Sequence, residues 1–309
     1  MRANGGRGRA VVVAMVLTAA LASLAGAAPA FAKSPTGDFA VFSQCPRFNT
    51  PEPGKTGVVG CLYSETKSGE VTLNKQKVPI TNTIILQGGT QINLTTGAEE
   101  FVGAINGETL SKTPQNVPGG LLGLVNCTEI KGEGFFEKGE RAACKLIFEG
   151  PLTGVNATTE LALPASSISI SSENLINREG VALGLPVKIH LENVLLGPEC
   201  YIGSSSHPIK WELTTGETHP EPPNTSIEGK VGETIFKDGF FFSETLNNTL
   251  VDNAWAAPEA TGCGGIFSGL IDPIINKKIG LPSPDGQNTA ILNGTLKQAV
   301  AAAVIASEK

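Results

Sequence analysis

Cysteine, histidine, serine and the acids are the residues through which this chain could do chemistry, and their spacing decides which kind. The six cysteines, Cys45, Cys61, Cys127, Cys144, Cys200 and Cys263, are even in number. No two of them form the C-x-x-C pair that a thiolate metal site or a redox dithiol would use. The three histidines, His190, His207 and His219, are too few and too scattered to complete such a site. Disulfides are the remaining use for the thiols. Sequence leaves the connectivity open. Sequential pairing, Cys45–Cys61, Cys127–Cys144 and Cys200–Cys263, is favoured because the first two pairs enclose short loops rich in Gly, Pro and Glu. No metal and no cofactor is expected.

A nucleophilic hydrolase needs a serine, a base, an orienting acid and an oxyanion hole. Ser204, Ser205 and Ser206 stand beside His207, but no Gly-x-Ser-x-Gly occurs, and a polar turn is the expected state. Gly264–Gly269 lacks the lysine of a phosphate-binding loop. No D-x-D-x-D-G calcium loop is present. Acids are plentiful, so their presence alone does not identify the carboxylate pair of a glycosidase. Sugar binding would want exposed aromatic platforms. Trp211 alternates with Ile209 and Leu213, the pattern of a core residue, whereas Trp255 sits in the loop-like run Asp252–Pro258. Trp255, Phe240 and Phe242 are therefore the candidate binding surface, and no catalytic residue is assigned. The expected function is a structural or binding role without catalytic activity, toward an extracellular or cell-envelope ligand. The alternative is an extracellular carboxylate-based hydrolase acting on polysaccharide. A third reading, a small-molecule carrier, requires a large apolar cavity within the β structure.

The N-terminus sets the compartment. Arg2, Arg7 and Arg9 precede a stretch without charge from Ala10 to Ala32, densest in apolar residues over Val11–Leu24. Ala30-Phe31-Ala32 then offers a small-x-small cleavage site, so residues 1–32 read as a signal peptide removed after Ala32. A secreted or envelope-associated protein follows, in a setting where disulfides persist. The net charge of the whole chain is −6, and loss of the arginine-bearing leader makes the remainder more acidic. Phosphate backbones and anionic lipid surfaces demand a basic face, so nucleic acid is excluded as a partner. Beyond the leader no apolar run approaches the length of about 20 residues that spans a bilayer.

The elements that position these residues read as strands. Short apolar runs bounded by turn residues recur at Asp38–Phe42, Val71–Leu73, Thr83–Leu86, Gln91–Leu94, Lys145–Phe148, Glu160–Leu163, Ser167–Ile170, Val187–Leu191, Ile209–Leu213, Thr234–Phe236 and Phe240–Phe242. Several alternate with the period of two that marks half-buried strands. Asp238-Gly239 reads as a hairpin turn. The fold class is therefore all-β, a mainly antiparallel sandwich or barrel-like structure, with a short C-terminal helix. Leu296, Ala299, Val300, Ala303 and Val304 share one helical face, which places that helix at Thr295–Ser307. A second short helix is expected over Gly269–Lys278. Residues 33–309 are expected to form one elaborated domain, with a candidate boundary at 217–226 where His219-Pro220-Glu221-Pro222-Pro223-Asn224 enforces extended backbone.

Five strings resemble a group of exported actinobacterial proteins of unknown function. They are Gly37–Pro46, Leu110–Leu124, Leu196–Ile209, Leu250–Gly264 and Gly280–Leu296. The resemblance implies export and a shared fold, and brings no activity or site residue with it.

Overall fold

The structure is a computed structural model describing residues 33–124, 134, 138–139, 141–142 and 154–309. The Cys127–Cys144 pair and the expected strand Lys145–Phe148 lie outside the described residues. Ser34–Lys309 form one compact unit.

The described strands are, in chain order, β1 (Lys55–Leu73), β2 (Gln76–Pro79), β3 (Ile84–Asn93), β4 (Glu99–Gly103), β5 (Pro114–Asn116), β6 (Asn156–Leu161) and β7 (Ser169–Ile170). They continue with β8 (Leu183–Glu192), β9 (Tyr201–Ile202), β10 (Ile209–Leu213), β11 (Glu233–Lys237), β12 (Phe242–Asp252), β13 (Ala260–Thr261) and β14 (Asn288–Val300). All pairings are antiparallel, and the sheet runs β11-β12-β14-β1-β3-β4-β7-β8-β6-β5 without closing. The all-β class expected from the alternating runs is the class observed. The spine is β1 against β14, paired from Gly60↔Val300 to Leu73↔Asn288. A bulge between Thr66 and Ser68 interrupts it, and glycines make the close approach there. A Cβ on Gly69, whose φ is +129°, would stand 1.9 Å from the Ile291 carbonyl oxygen.

Three local expectations are corrected. Asp38–Phe42 is not a strand but part of a 3₁₀ helix, Gly37–Phe42. Phe39 and Phe42, three residues apart, fall on one side of such a helix, and both are buried. Thr83–Leu86 and Gln91–Leu94 belong mainly to one strand, β3, rather than two. Gly88-Gly89 between them is no turn: side chains there would run into the Val102 carbonyl and the Phe101 ring, or into Val58. Finally, the C-terminal helix is shorter than its apolar periodicity indicated. Residues 295–300 are strand, and the helix covers only Ala301–Ala306. Leu296 lies between Ser64 of β1 and Thr245 of β12. Backbone pairing on both flanks overrides the helical pattern. The second expected helix forms as Ser268–Ile279, with Ile271, Ile275 and Ile279 buried.

The apolar interior has two parts. The larger contains Leu185, Val187, Ile189 and Leu191, the inward residues of β8, together with Ile202, Trp211 and the buried isoleucines of helix 268–279. Cys200–Cys263 is bonded within it. The smaller gathers Phe39, Phe42, Phe242, Ala299, Ala301 and Val304 around the Cys45–Cys61 disulfide. Here the two ends of the described chain meet. Thr36 donates through Oγ1 to the Ser307 carbonyl at 2.6 Å, and Arg47 forms an ion pair with Glu308 at 2.5 Å. The Pro-rich segment 219–224 closes as a loop: Glu217 bridges Glu228, and the Thr218 amide donates to the Ile227 carbonyl at 2.9 Å. Among the described residues no helix is long and apolar enough to cross a membrane.

Candidate functional site

The residues expected to form a binding surface do not all lie on one. Trp255 is 3% exposed. Its ring packs edge-on against Trp211 at 6.0 Å, and its Nε1 donates to the Asp252 carbonyl at 3.2 Å. Polar side chains that looked like loop chemistry hold it inside. Asp252 accepts the amides of Glu212 at 2.6 Å and Ala254 at 2.9 Å, while the fully buried Asn288 donates to the Trp255 carbonyl at 2.7 Å. Burial pushes the Asp252 carboxyl up from 3.8 to about 6, despite the backbone amides that favour its charged form. Phe242 is also buried, because it begins β12 pointing into the small core, edge-on to Phe39 at 5.8 Å and Phe42 at 5.9 Å. Phe240 belongs to the short 3₁₀ turn Asp238–Phe240 that joins β11 to β12.

Phe241, within the run Phe240–Phe242, is exposed on this hairpin. Alternation explains the exchange: with Phe242 turned inward, its neighbour faces solvent. Phe241 and Phe236 are each 55% exposed. Phe241 forms a ridge between two open depressions. One, of about 470 Å³, is lined by Phe39, Asp238, Val300, Ala302, Ala303 and Ala306. Val59, Thr90 and Gln298 line the other, and Val300 borders both. Val300 is fixed beside Phe241 by the hydrogen bond from its amide to the Phe241 carbonyl at 2.9 Å. Ile235, Val300 and Ile305 add further exposed apolar side chains near this end of the sheet.

Titratable side chains gather elsewhere, on the outer face of β6, β8 and β9. Cross-strand register sets Lys188 opposite Glu160 and His190 opposite both Thr158 and Tyr201. His190 Nδ1 lies 3.8 Å from Glu160 and 3.6 Å from Glu192, and its ring stacks on Tyr201 at 4.4 Å. Lys188 and Lys112 approach Glu160 at 3.5 and 3.9 Å. Burial, then the nearby Glu160, Glu199 and Glu192, raises the Tyr201 phenol. A retaining or inverting glycosidase needs two carboxyls flanking a cleft that admits sugar. Glu160 is instead hemmed in by two lysines and an imidazole, on a sheet face. Ser206 and His207 do touch, Oγ to Nδ1 at 3.0 Å, but within an exposed turn in which the Ser204 amide donates to the His207 carbonyl at 3.0 Å. Among the described residues no group of three His, Cys, Asp or Glu side chains is placed to hold a metal ion.

The enclosed apolar cavity between Val71, Val78, Val117, Ile189, Ile202 and Ile279 measures only about 30 Å³. That is room for water, far below the several hundred Å³ of a small-molecule site. This cavity cannot hold the ligand that the carrier reading requires. No family model, curated protein or solved structure matches this chain.

Proposed function

We propose that this is a secreted or cell-envelope-associated binding protein without catalytic activity, and that its contact surface is the apolar end of the sheet around Phe236, Phe241 and Val300. The observation that carries the reading is the exposure of Phe241 between two depressions while Phe242, one residue on, is buried. An extracellular address fits the leader-like residues 1–32 and the disulfides Cys45–Cys61 and Cys200–Cys263. Membership of the exported actinobacterial group is part of the same proposal and rests on the strings that resemble it.

Fractionation of expressing cells into cytosol, envelope and medium tests the reading. The expected product begins at Lys33 and sediments with the envelope, and Phe241→Ser shifts it into the medium. Recovery in the cytosol with Met1–Ala32 intact would overturn it. The alternative, an extracellular carboxylate-based hydrolase acting on polysaccharide, predicts release of reducing ends from a polysaccharide panel.

A further inference from the structure

The sheet ends at β11, which pairs with β12 on one side and, among the described residues, with no strand on the other. The outer backbone of an edge strand is a template for another strand. Native sheets blunt such edges with proline, bulges or charges along the strand. β11 reads Glu233-Thr234-Ile235-Phe236-Lys237, with charges only at its two ends and two exposed apolar residues between them.

That sequence is complementary to itself. In an antiparallel alignment with Ile235 opposite Ile235, Glu233 faces Lys237 at both ends and Thr234 faces Phe236 twice. Opposite charges and apolar residues directly across from one another are the pairs that stabilise antiparallel strands. Lys237 already lies 3.4 Å from Glu244 and 3.7 Å from Asp38. Glu244 has a second cation, Lys297, at 3.5 Å, so Lys237 can turn toward a new carboxylate without leaving Glu244 unpaired. We propose that β11 pairs antiparallel with β11 of a second copy of this chain, joining two sheets across a two-fold axis. The proposal rests on reading the apolar end of the sheet as a contact surface, and it names the partner. A stable dimer buries about 800 Å² per subunit, more than five residues of strand supply. Phe236, Phe241 and Val300 are the adjoining area that extends the interface. A self-complementary contact of this kind closes at two copies rather than growing into a fibre.

Sedimentation velocity on the purified, disulfide-bonded chain, over about 1 μM to 1 mM, spans the affinities of small interfaces. The wild-type chain is expected to dimerise. Glu233→Lys places lysine opposite Lys237 twice, and Lys237→Glu places glutamate opposite Glu233 twice. Each is expected to weaken the dimer about tenfold or more through like-charge pairs. The double variant Glu233→Lys/Lys237→Glu restores opposite charges at both ends and is expected to dimerise as the wild type does, a rescue that general misfolding could not produce. A wild-type chain that stays monomeric, or a dimer indifferent to all three variants, overturns the proposal. A monomer that still sediments with the envelope through Phe241 leaves the binding reading standing and removes the second copy alone.

Discussion

Phe241 and Phe242 offer a sharp perturbation because neighbours in sequence have opposite environments. Phe242 is 2% exposed and contacts two rings edge-on, Phe39 and Phe42. Phe242→Ala loses the transfer free energy of a buried phenyl, about 1.5–3 kcal/mol. It also loses two aromatic contacts worth roughly 0.5–1.5 kcal/mol each and leaves a cavity, so a total of about 3–5 kcal/mol is expected. Phe241 keeps more than half its surface in water, and Phe241→Ala should cost no more than about 1 kcal/mol. Urea unfolding of both variants separates them: the Phe242→Ala midpoint falls by roughly 1–2 M at unchanged slope, and that of Phe241→Ala moves by a fraction of that. In the envelope assay the ranking reverses, with Phe241→Ala released and folded. Equal destabilisation, or a larger effect at Phe241, would refute the register of β12 and with it the contact surface.

Asp252 gives a pH dependence of known sign. An acid whose carboxyl is raised on folding, here from 3.8 to about 6, favours the folded state while protonated. Its contribution, about 3 kcal/mol at most, is complete below pH 4 or so and is lost as pH rises through about 6. Asp252→Asn should remove that component from the stability curve measured by urea titration between those pH values. Arg47 and Glu308 are a buried pair, 5% and 8% exposed at their side chains. Arg47→Ala is expected to cost about 3–5 kcal/mol by stranding the carboxylate, and Arg47→Met/Glu308→Met much less, as read by thermal melts. Gly69→Ala forces a left-handed residue against the Ile291 carbonyl and should cost about 1–3 kcal/mol or more, lowering the melting temperature without changing the sheet's circular dichroism.

Much of the architecture was legible because it depends on local alternation. Val187–Leu191 shows its two faces in sequence, and they are the faces observed, aliphatic residues inward and Lys188 and His190 outward. Ile209–Leu213 is strand β10 with Trp211 inside. The Asp238-Gly239 turn joins the two strands it was expected to join. What failed was the assignment of aromatic residues to surface. Trp255 lies in a loop-like run, yet the carboxylate of Asp252 and the amide of Asn288 bind backbone there and hold the ring inside.

The amino-acid sequence by itself determined the fold class, the net negative charge and the even set of cysteines available for pairing. Each follows from residue type and short-range spacing. Tertiary structure alone decided which of two adjacent phenylalanines meets solvent, where the last helix begins, and which strand ends the sheet. Those depend on register between segments far apart in the chain: Gly60 against Val300, Phe242 against Ala299. A shift of one residue would exchange the two faces while leaving the local pattern unchanged.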